Sequence, residues 1–205
     1  MIIALLGASG SGKSTLENEL ANKYGYEKIV SHTTRKQRTG EVNGRDYHFI
    51  DNKTFNEALC LGLFAEYEEY SQNRFYGTLK FDYSSKKDKV VVLTPNGFRQ
   101  LKRNCKDNDI FTVLVEANLG TRMKRYIDRC GVDKFNFDDK NEIAARVERD
   151  FGAFLGVKDE VDLVVHNNEG IEINDLVMEI LSHVEKYKQE KWRNICLLWY
   201  EKMSI

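Results

Sequence analysis

The stretch Gly7-Ala8-Ser9-Gly10-Ser11-Gly12-Lys13-Ser14 constrains this chain more than any other. It has the form G-x-x-x-x-G-K-S. The apolar run Ile2–Leu6 precedes it, and a helix-like run over 13–23 follows. Buried strand, glycine-rich turn and helix, in that order, make a phosphate loop. The glycines let several backbone N–H groups turn inward on an anion. The helix N-terminus adds favourable potential at the same point. Lys13 reaches the outer phosphates, and the Ser14 hydroxyl suits Mg2+. The segment Gly7 to Gly12, with Lys13, Ser14 and Thr15, is therefore expected to hold a nucleoside triphosphate. A plain glycine-rich turn would need neither the strand before it nor the helix after it.

Further apolar, β-branched runs fall at 28–30, 89–93, 110–115 and 161–165. Helix-like runs at 96–104, 119–129, 141–155 and 173–188 separate most of them. Continuous apolar strands alternating with helices predict an α/β protein: a parallel sheet flanked by helices, the P-loop NTPase fold. Ligand sites in such sheets lie at the carboxyl ends of the strands, where the phosphate loop falls. The rhythm breaks over 31–79, which is rich in Tyr, Thr, Asn, Gly and charge. Short strands at 47–50 and 64–70, with a helix at 52–61 between them, predict an inserted subdomain there. The expected division is a core of 1–30 and 80–205 and an insertion of 31–79. Pro95, the sole proline, suits the first position of a helix. The polar gap 131–140 reads as a mobile loop. The tail 191–205 carries Trp192, Ile195, Leu197, Leu198, Trp199 and Tyr200. A helix folding back on the core is favoured there over a subunit contact.

Bulk properties narrow the partners. Of 205 residues, 31 are basic and 32 acidic, for a net charge of −1, so nothing draws the whole chain to nucleic acid or an anionic membrane. No apolar run approaches the ~20 residues a membrane helix needs. The first strand starts at residue 2, which leaves no room for a leader. The cysteines, 60, 105, 130 and 196, form no C-x-x-C pair and suit idle thiols in a reducing compartment. A cytoplasmic protein, monomer or homodimer, is expected. His32, His48, His166 and His183 lack metal-pair spacing and are expected to be structural.

The stretch 31–49 reads SHTTRKQRTGEVNGRDYHF. Arg35 and Arg38 are three apart and can reach one phosphate, for which guanidinium forks are suited. A solvated charged loop is the competing reading of the basic run alone. The neighbours decide. The stretch strongly resembles the guanylate kinase family, whose segment has the form S-x-T-T-R-x-x-R-x-G-E-x-x-G-x-D-Y-x-F, and every fixed position is kept. Phe64-Ala65-Glu66-Tyr67 and Phe75-Tyr76-Gly77-Thr78 resemble the family's F-x-E-Y…Y-G-T block, with one extra residue between the halves. The likeness is specific from the first strand to about residue 78 and weaker to about 185.

The resemblance implies roles. Arg35, Arg38, Tyr47 and Tyr76 match positions that hold the acceptor phosphate. Ser31, Glu66 and Thr78 match positions that read the guanine edge. A carboxylate such as Glu66 accepts from both N1–H and the 2-amino group of guanine, where adenine offers neither donor; taken alone, Glu66 reads as a solvated strand carboxylate. Arg125 and Arg129, four apart on one helix face, match the arginines that begin the family's lid, about 130–141 here. Arg146 matches a third on the returning helix. Such arginines neutralise charge on a phosphoryl group in transit. Asn167 aligns with an asparagine near the adenine end of the donor. The implied reaction moves the γ-phosphoryl group of ATP, with Mg2+, to GMP or dGMP.

Two departures stand out. The family's D-x-D-x-Q-G after its third core strand, whose acids serve the Mg2+ shell and the guanine amino group, is Val92-Leu93-Thr94-Pro95-Asn96-Gly97 here. Thr94 thus occupies an acceptor-binding position without its acid. The Arg129–Arg146 separation also exceeds the family's by several residues. Other readings remain: a deoxynucleoside monophosphate kinase with another base choice, a non-catalytic protein-binding module of the same fold, and a P-loop ATPase acting on another partner. The intact Gly12-Lys13-Ser14-Thr15 speaks against the module, and Arg35, Arg38 and Tyr76 have no task in the ATPase.

Overall fold

The computed structural model describes residues 1–71, 73–84, 87–105, 109–130 and 137–203. Its centre is β1 (Ile2–Leu6), every residue of which is buried. β7 (Lys89–Val92) and β8 (Ile110–Glu116) pair with it in parallel on either side. β2 (Glu27–Lys28) and β9 (Leu163–His166) complete the parallel order β2-β7-β1-β8-β9.

Successive side chains of a strand point to opposite faces, and β1 divides accordingly. Ile3 and Leu5 pack with Leu16 and Leu20 of α1 (Lys13–Tyr24) and with Leu176, Val177, Ile180 and Val184 of α6 (Ile173–Met203). Ile2, Ala4 and Leu6 pack on the other face with Phe98 and Leu101 of α3 (Pro95–Asn104). Each fully buried side chain of this kind stabilises by roughly 1.5–3 kcal/mol. Pro95 does sit in the first helical turn, behind a Thr94 cap whose hydroxyl accepts the Gly97 N–H at 3.0 Å.

A second sheet of order β4-β3-β6-β5 comes wholly from residues 32–79. It comprises β3 (His32–Thr33), β4 (His48–Phe49), β5 (Phe64–Ser71) and β6 (Arg74–Leu79). β3 and β6 were not apparent in the sequence. β3 is two residues long, and Gly77 and Thr78 interrupt the apolar pattern of β6. α2 (Asn52–Cys60), capped by Asp51 through the Thr54 N–H, covers this sheet. Its Phe55 stacks between Phe64 and Phe75, with centroids 4.3 and 5.3 Å away. The β5–β6 ladder shifts register between Glu69 and Ser71, in the stretch carrying one residue more than the family pattern.

The small sheet is moored to the core by α3. Gln100 accepts from the Tyr67 N–H at 3.2 Å and donates to the Tyr67 carbonyl at 2.8 Å. Asn104 donates to the Ala65 carbonyl at 2.8 Å. These contacts satisfy an edge strand that would otherwise present bare backbone groups.

Two sequence expectations change. The gap 131–140 is shorter at its far end, because α5 (Phe137–Ala153) already contains 137–140; 131–136, half of the expected lid, lies outside the described residues. α6 runs on unbroken to Met203, so the tail does not fold back as a separate helix. Its Trp192, Ile195 and Leu197 are exposed, Trp192 by 68%. Strong helix formers in this stretch propagate the existing helix, while the core face of α6 ends near Tyr187.

Candidate active site

A cavity of about 410 Å3 opens at the carboxyl ends of β1 and β7, between the core and the small sheet. Ser9, Lys13 and Ser14 line one wall. Ser31, Arg35, Arg38, Tyr47, Glu66 and Tyr76 line the opposite wall. Thr94 lies between them, and Arg129 and Arg146 close one side.

The phosphate-loop wall depends on glycine at two positions. Gly7 has φ 155°, and a Cβ there would fall 2.4 Å from the Val115 carbonyl oxygen. Gly12 has φ 100°, and its Cβ would meet the Asn167 side chain at 2.1 Å. Lys13 Nζ folds over the loop and donates to the carbonyls of Gly7 at 2.6 Å and Ala8 at 3.1 Å. Desolvation lowers its pKa to about 8, against the opposing pull of Asp150. A polyphosphate at this position would supply counter-charge that offsets the desolvation of the ammonium group.

Distant side chains brace this loop from behind. Asn167, 1% exposed, donates to the Ser11 carbonyl at 2.8 Å and accepts from Arg125 Nη2 at 3.0 Å. Arg125 Nη1 donates to the carbonyls of Gly10 and Ser11, each at 3.2 Å. Arg122 Nε donates to the Ser9 carbonyl at 2.7 Å, and its Nη2 pairs with Asp150 at 2.6 Å. Asp150 in turn accepts the Ser9 N–H at 2.8 Å. Arg146 Nη1 lies 3.4 Å from Ser9 Oγ, and its guanidinium sits over the Tyr126 ring. Arg125 and Asn167, expected from the sequence to face ligand, thus stand behind the loop. Arg129 and Arg146 reach the cavity. Arg122 and Asp150 were not singled out in the sequence. Asp150 shares α5 with Arg146, four residues on, and Arg122 shares α4 (Leu119–Cys130) with Arg125; that helical spacing was the available signal.

On the opposite wall, Arg35 is buried. It pairs with Glu41 at 2.7 Å, donates to the Lys36 carbonyl at 2.7 Å, and lies over the rings of Tyr47 and Phe49. Burial works against its charge, and Glu41 and Tyr76 together more than compensate, raising its pKa. Glu41 also accepts the Arg38 N–H at 2.8 Å, which aims the turn and leaves the Arg38 guanidinium toward the cavity. Tyr47 and Tyr76 meet edge to face at 5.7 Å. Burial beside Tyr76 pushes the Tyr47 hydroxyl up to about 12, so it donates a proton without losing it.

Glu66 is buried, and desolvation pushes its carboxyl up to about 7 against the hydrogen bond from Thr78. Thr78 Oγ1 donates to Glu66 Oε1 at 2.8 Å and lies 2.8 Å from the Tyr83 hydroxyl. Thr78 has one hydroxyl proton and gives it to the ionised carboxylate, so Tyr83 is the donor in the second contact. Thr78 therefore positions Glu66 from behind rather than lining the cavity. Gly97 completes the arrangement: a Cβ there would fall 2.6 Å from Glu66 Oε2. Thr94 reaches the cavity, but its hydroxyl accepts the cap of α3. His32 and His48 stack on each other at 4.6 Å in the small sheet, as structural residues. Among the described residues no cluster of three or more His, Cys, Asp or Glu suits a metal ion.

One wall thus presents the glycine-rich loop with Ser9, Lys13 and Ser14, which suits a polyphosphate. The other presents two arginines, two tyrosines and a buried carboxylate for a second anion that carries paired N–H donors. Comparison with known proteins agrees. A family model described as guanylate kinase matches residues 1–187. A guanylate kinase of Enterococcus faecalis is 32% identical over 180 residues, covering 83% of this chain and 87% of the relative. One from Clostridioides difficile is 29% identical over 202 residues, covering 96% and 94%. The crystal structure of guanylate kinase from Anaplasma phagocytophilum superposes with a TM-score of 0.64 at 20% identity, covering 92% of this chain and 86% of that one. No described helix is long and apolar enough to cross a membrane.

Proposed function

We infer the reaction from one premise: the chain belongs to the guanylate kinase family. It is a nucleoside monophosphate kinase that transfers the γ-phosphoryl group of ATP to GMP, giving ADP and GDP. The observation that carries the site assignment is the two-walled cavity, with Lys13 and Ser14 facing Arg35, Arg38, Tyr47 and Glu66. ATP lies along the phosphate loop, held by the N–H groups of residues 7–15 and by Lys13. GMP lies opposite. Arg35, Arg38, Tyr47 and Tyr76 take its phosphate, and Ser31 and ionised Glu66 take its base edge. Adenine would leave the Glu66 carboxylate facing an unpaired edge, at a cost of several kcal/mol.

Phosphoryl transfer between two held anions needs position and charge more than covalent help. Lys13, Arg129 and Arg146 supply the positive field around the transferring group. Arg125 acts one step back, by fixing the loop carbonyls that Lys13 and its neighbours depend on. The residues of the proposed lid, about 130–141, close over the pair and exclude water. The donor set fits Mg2+: a serine hydroxyl and carboxylate oxygens share the cavity with incoming phosphates. Ser14 is the protein ligand proposed for it. Bound there, Mg2+ would supply positive charge that offsets the charge on the transferring group. The core of 1–30 and 80–205 carries ATP, and 31–79 carries the acceptor. Among the described residues Cys60, Cys105 and Cys196 form no disulfide, which suits the cytoplasm proposed for the protein.

A coupled ADP-release assay over all ribo- and deoxynucleoside monophosphates tests the reading. GMP should give the fastest turnover, with dGMP next. No stimulation by a guanine nucleotide would overturn the assignment, and a preference for dTMP, dCMP or dAMP would replace it with the deoxynucleoside alternative.

A further inference from the structure

We propose that Glu17 is the carboxylate that positions the hydrated Mg2+ of ATP against Ser14, a duty that the strand ends do not perform in this chain. The proposal rests on the ATP-dependent reading above. Mg2+ keeps several waters and is usually bound through one or two carboxylates plus substrate phosphates. The carboxyl end of β7 brings Val92, Leu93 and Thr94 to the cavity, and none of them is an acid. The Thr94 hydroxyl is already committed to the cap of α3.

The acids that line the cavity are Glu17, Glu41, Asp46, Glu66, Glu68 and Asp150. Glu41 is paired with Arg35, and Asp46 holds Arg45 and the Val42 N–H. Glu66 and Glu68 belong to β5, on the acceptor wall. Asp150 is taken by Arg122 and the Ser9 N–H, at the far end of the loop from Ser14. Glu17 remains, on the same helix as Ser14.

Its placement fits the task. Glu17 follows Ser14 by three residues in α1, so the two share a helix face, and both line the cavity. Glu17 is 4% exposed, on the helix face that also buries Leu16 and Leu20. Lys28 Nζ pairs with one carboxylate oxygen, Oε2, at 2.8 Å; burial raises the Glu17 carboxyl above its ordinary value, and Lys28 and the Val92 backbone act against that rise. A carboxylate is thus delivered to the end of β7 from the neighbouring helix. A buried ion pair of this kind is weak ground for stability, since an apolar pair of similar volume does as well or better. At a cavity that takes a polyphosphate and its divalent cation, the same carboxylate accepts hydrogen bonds from metal-bound water. Outer carboxylates of that sort typically set metal affinity by 10- to 100-fold.

The test is calorimetry of ATP binding to the full chain across a MgCl2 titration, with Glu17→Gln, Glu17→Leu and Lys28→Met alongside the parent. The Glu17 variants should bind metal-free ATP as the parent does, yet need about 10- to 100-fold more Mg2+ for the same tightening. Glu17→Leu gives the buried face of α1 an apolar residue and keeps the question answerable if Glu17→Gln does not fold. Lys28→Met leaves the carboxylate in place without its counter-charge and should raise the Mg2+ requirement less than either Glu17 variant does. A folded Glu17 variant with the parental Mg2+ dependence overturns the proposal, and so does a Lys28→Met chain whose Mg2+ requirement exceeds theirs. Failure of the parent chain to bind ATP or to phosphorylate GMP would sink the functional reading itself, a separate result.

Discussion

On the ATP wall, side chains from far along the chain hold backbone; on the GMP wall, side chains hold one another. Arg122, Arg125 and Asn167 each grip a carbonyl of the phosphate loop from more than 100 residues away. Across the cavity, Glu41 fixes Arg35, Thr78 fixes Glu66 and Tyr83 backs Thr78, each contact spanning 12 or fewer residues. The first wall must present backbone N–H groups in one shape to any triphosphate. The second must match one base and one phosphate, which calls for side chains whose charge and direction are set individually. Rigidity is borrowed from the whole fold in one case and built locally in the other.

Breaking each wall should therefore fail differently. Lys13→Ala has the largest expected effect. It should lower kcat by about 10³-fold, on the scale of losing one preorganised charge-stabilising group, with an unchanged circular dichroism spectrum. Arg38→Ala comes next. Its guanidinium is turned to the cavity while its N–H is what holds the turn. The KM for GMP should rise by about 10- to 100-fold, with the KM for ATP moving far less. Equal effects on both substrates would erase the distinction between the walls.

The smallest effect sharpens the comparison most. Burial raises the Glu66 carboxyl from 4.5 to about 7. A raised carboxyl contributes stability that is fully present below pH 4.5 and lost as pH rises through about 7. Guanine needs the ionised form, so GMP binding must expel a proton below about pH 7. GMP affinity should fall by up to about tenfold per pH unit below that point. Glu66→Gln should show no such fall, and referring the parent to that variant cancels titration of the ligand itself. It should also relax the preference for guanine over adenine by about tenfold or more. Parallel pH profiles for the two chains would remove Glu66 from base reading.

What the sequence revealed follows the same division. The phosphate loop is a local signal, and Gly7, Gly12 and Lys13 declare their backbone needs within eight residues. The core strands declare themselves by continuous apolar character, because both faces are covered. The braces do not. Asp150 meets the Ser9 N–H across 141 residues of chain; its spacing from Arg146 places it on the same helix face, but nothing in the sequence names the partner. β3 and β6 escaped for another reason: a small sheet held by stacked phenylalanines and an α3 edge needs little alternation of its own. Thr78 and Asn167, singled out from the sequence as ligand-facing, each stand one layer behind the cavity, a distinction that depends on packing rather than residue type. The tail was misjudged because apolar residues at helical spacing do not say whether anything lies beside them.

The order β2-β7-β1-β8-β9 also has a temporal meaning. The strand nearest the start of the sequence is the middle of the sheet, and its two partners begin 87 and 108 residues after Ile2. At synthesis rates of about 5–20 residues per second, Ile2–Leu6 waits on the order of ten seconds for neighbours, with nothing to shield it but transient collapse. The small sheet has its last strand by Leu79, before β7 begins at Lys89, and its β5–β6 pair joins strands adjacent in sequence, a closure that is fast. The acceptor wall is thereby expected to mature first during translation, and the triphosphate cradle, though written in eight consecutive letters, last.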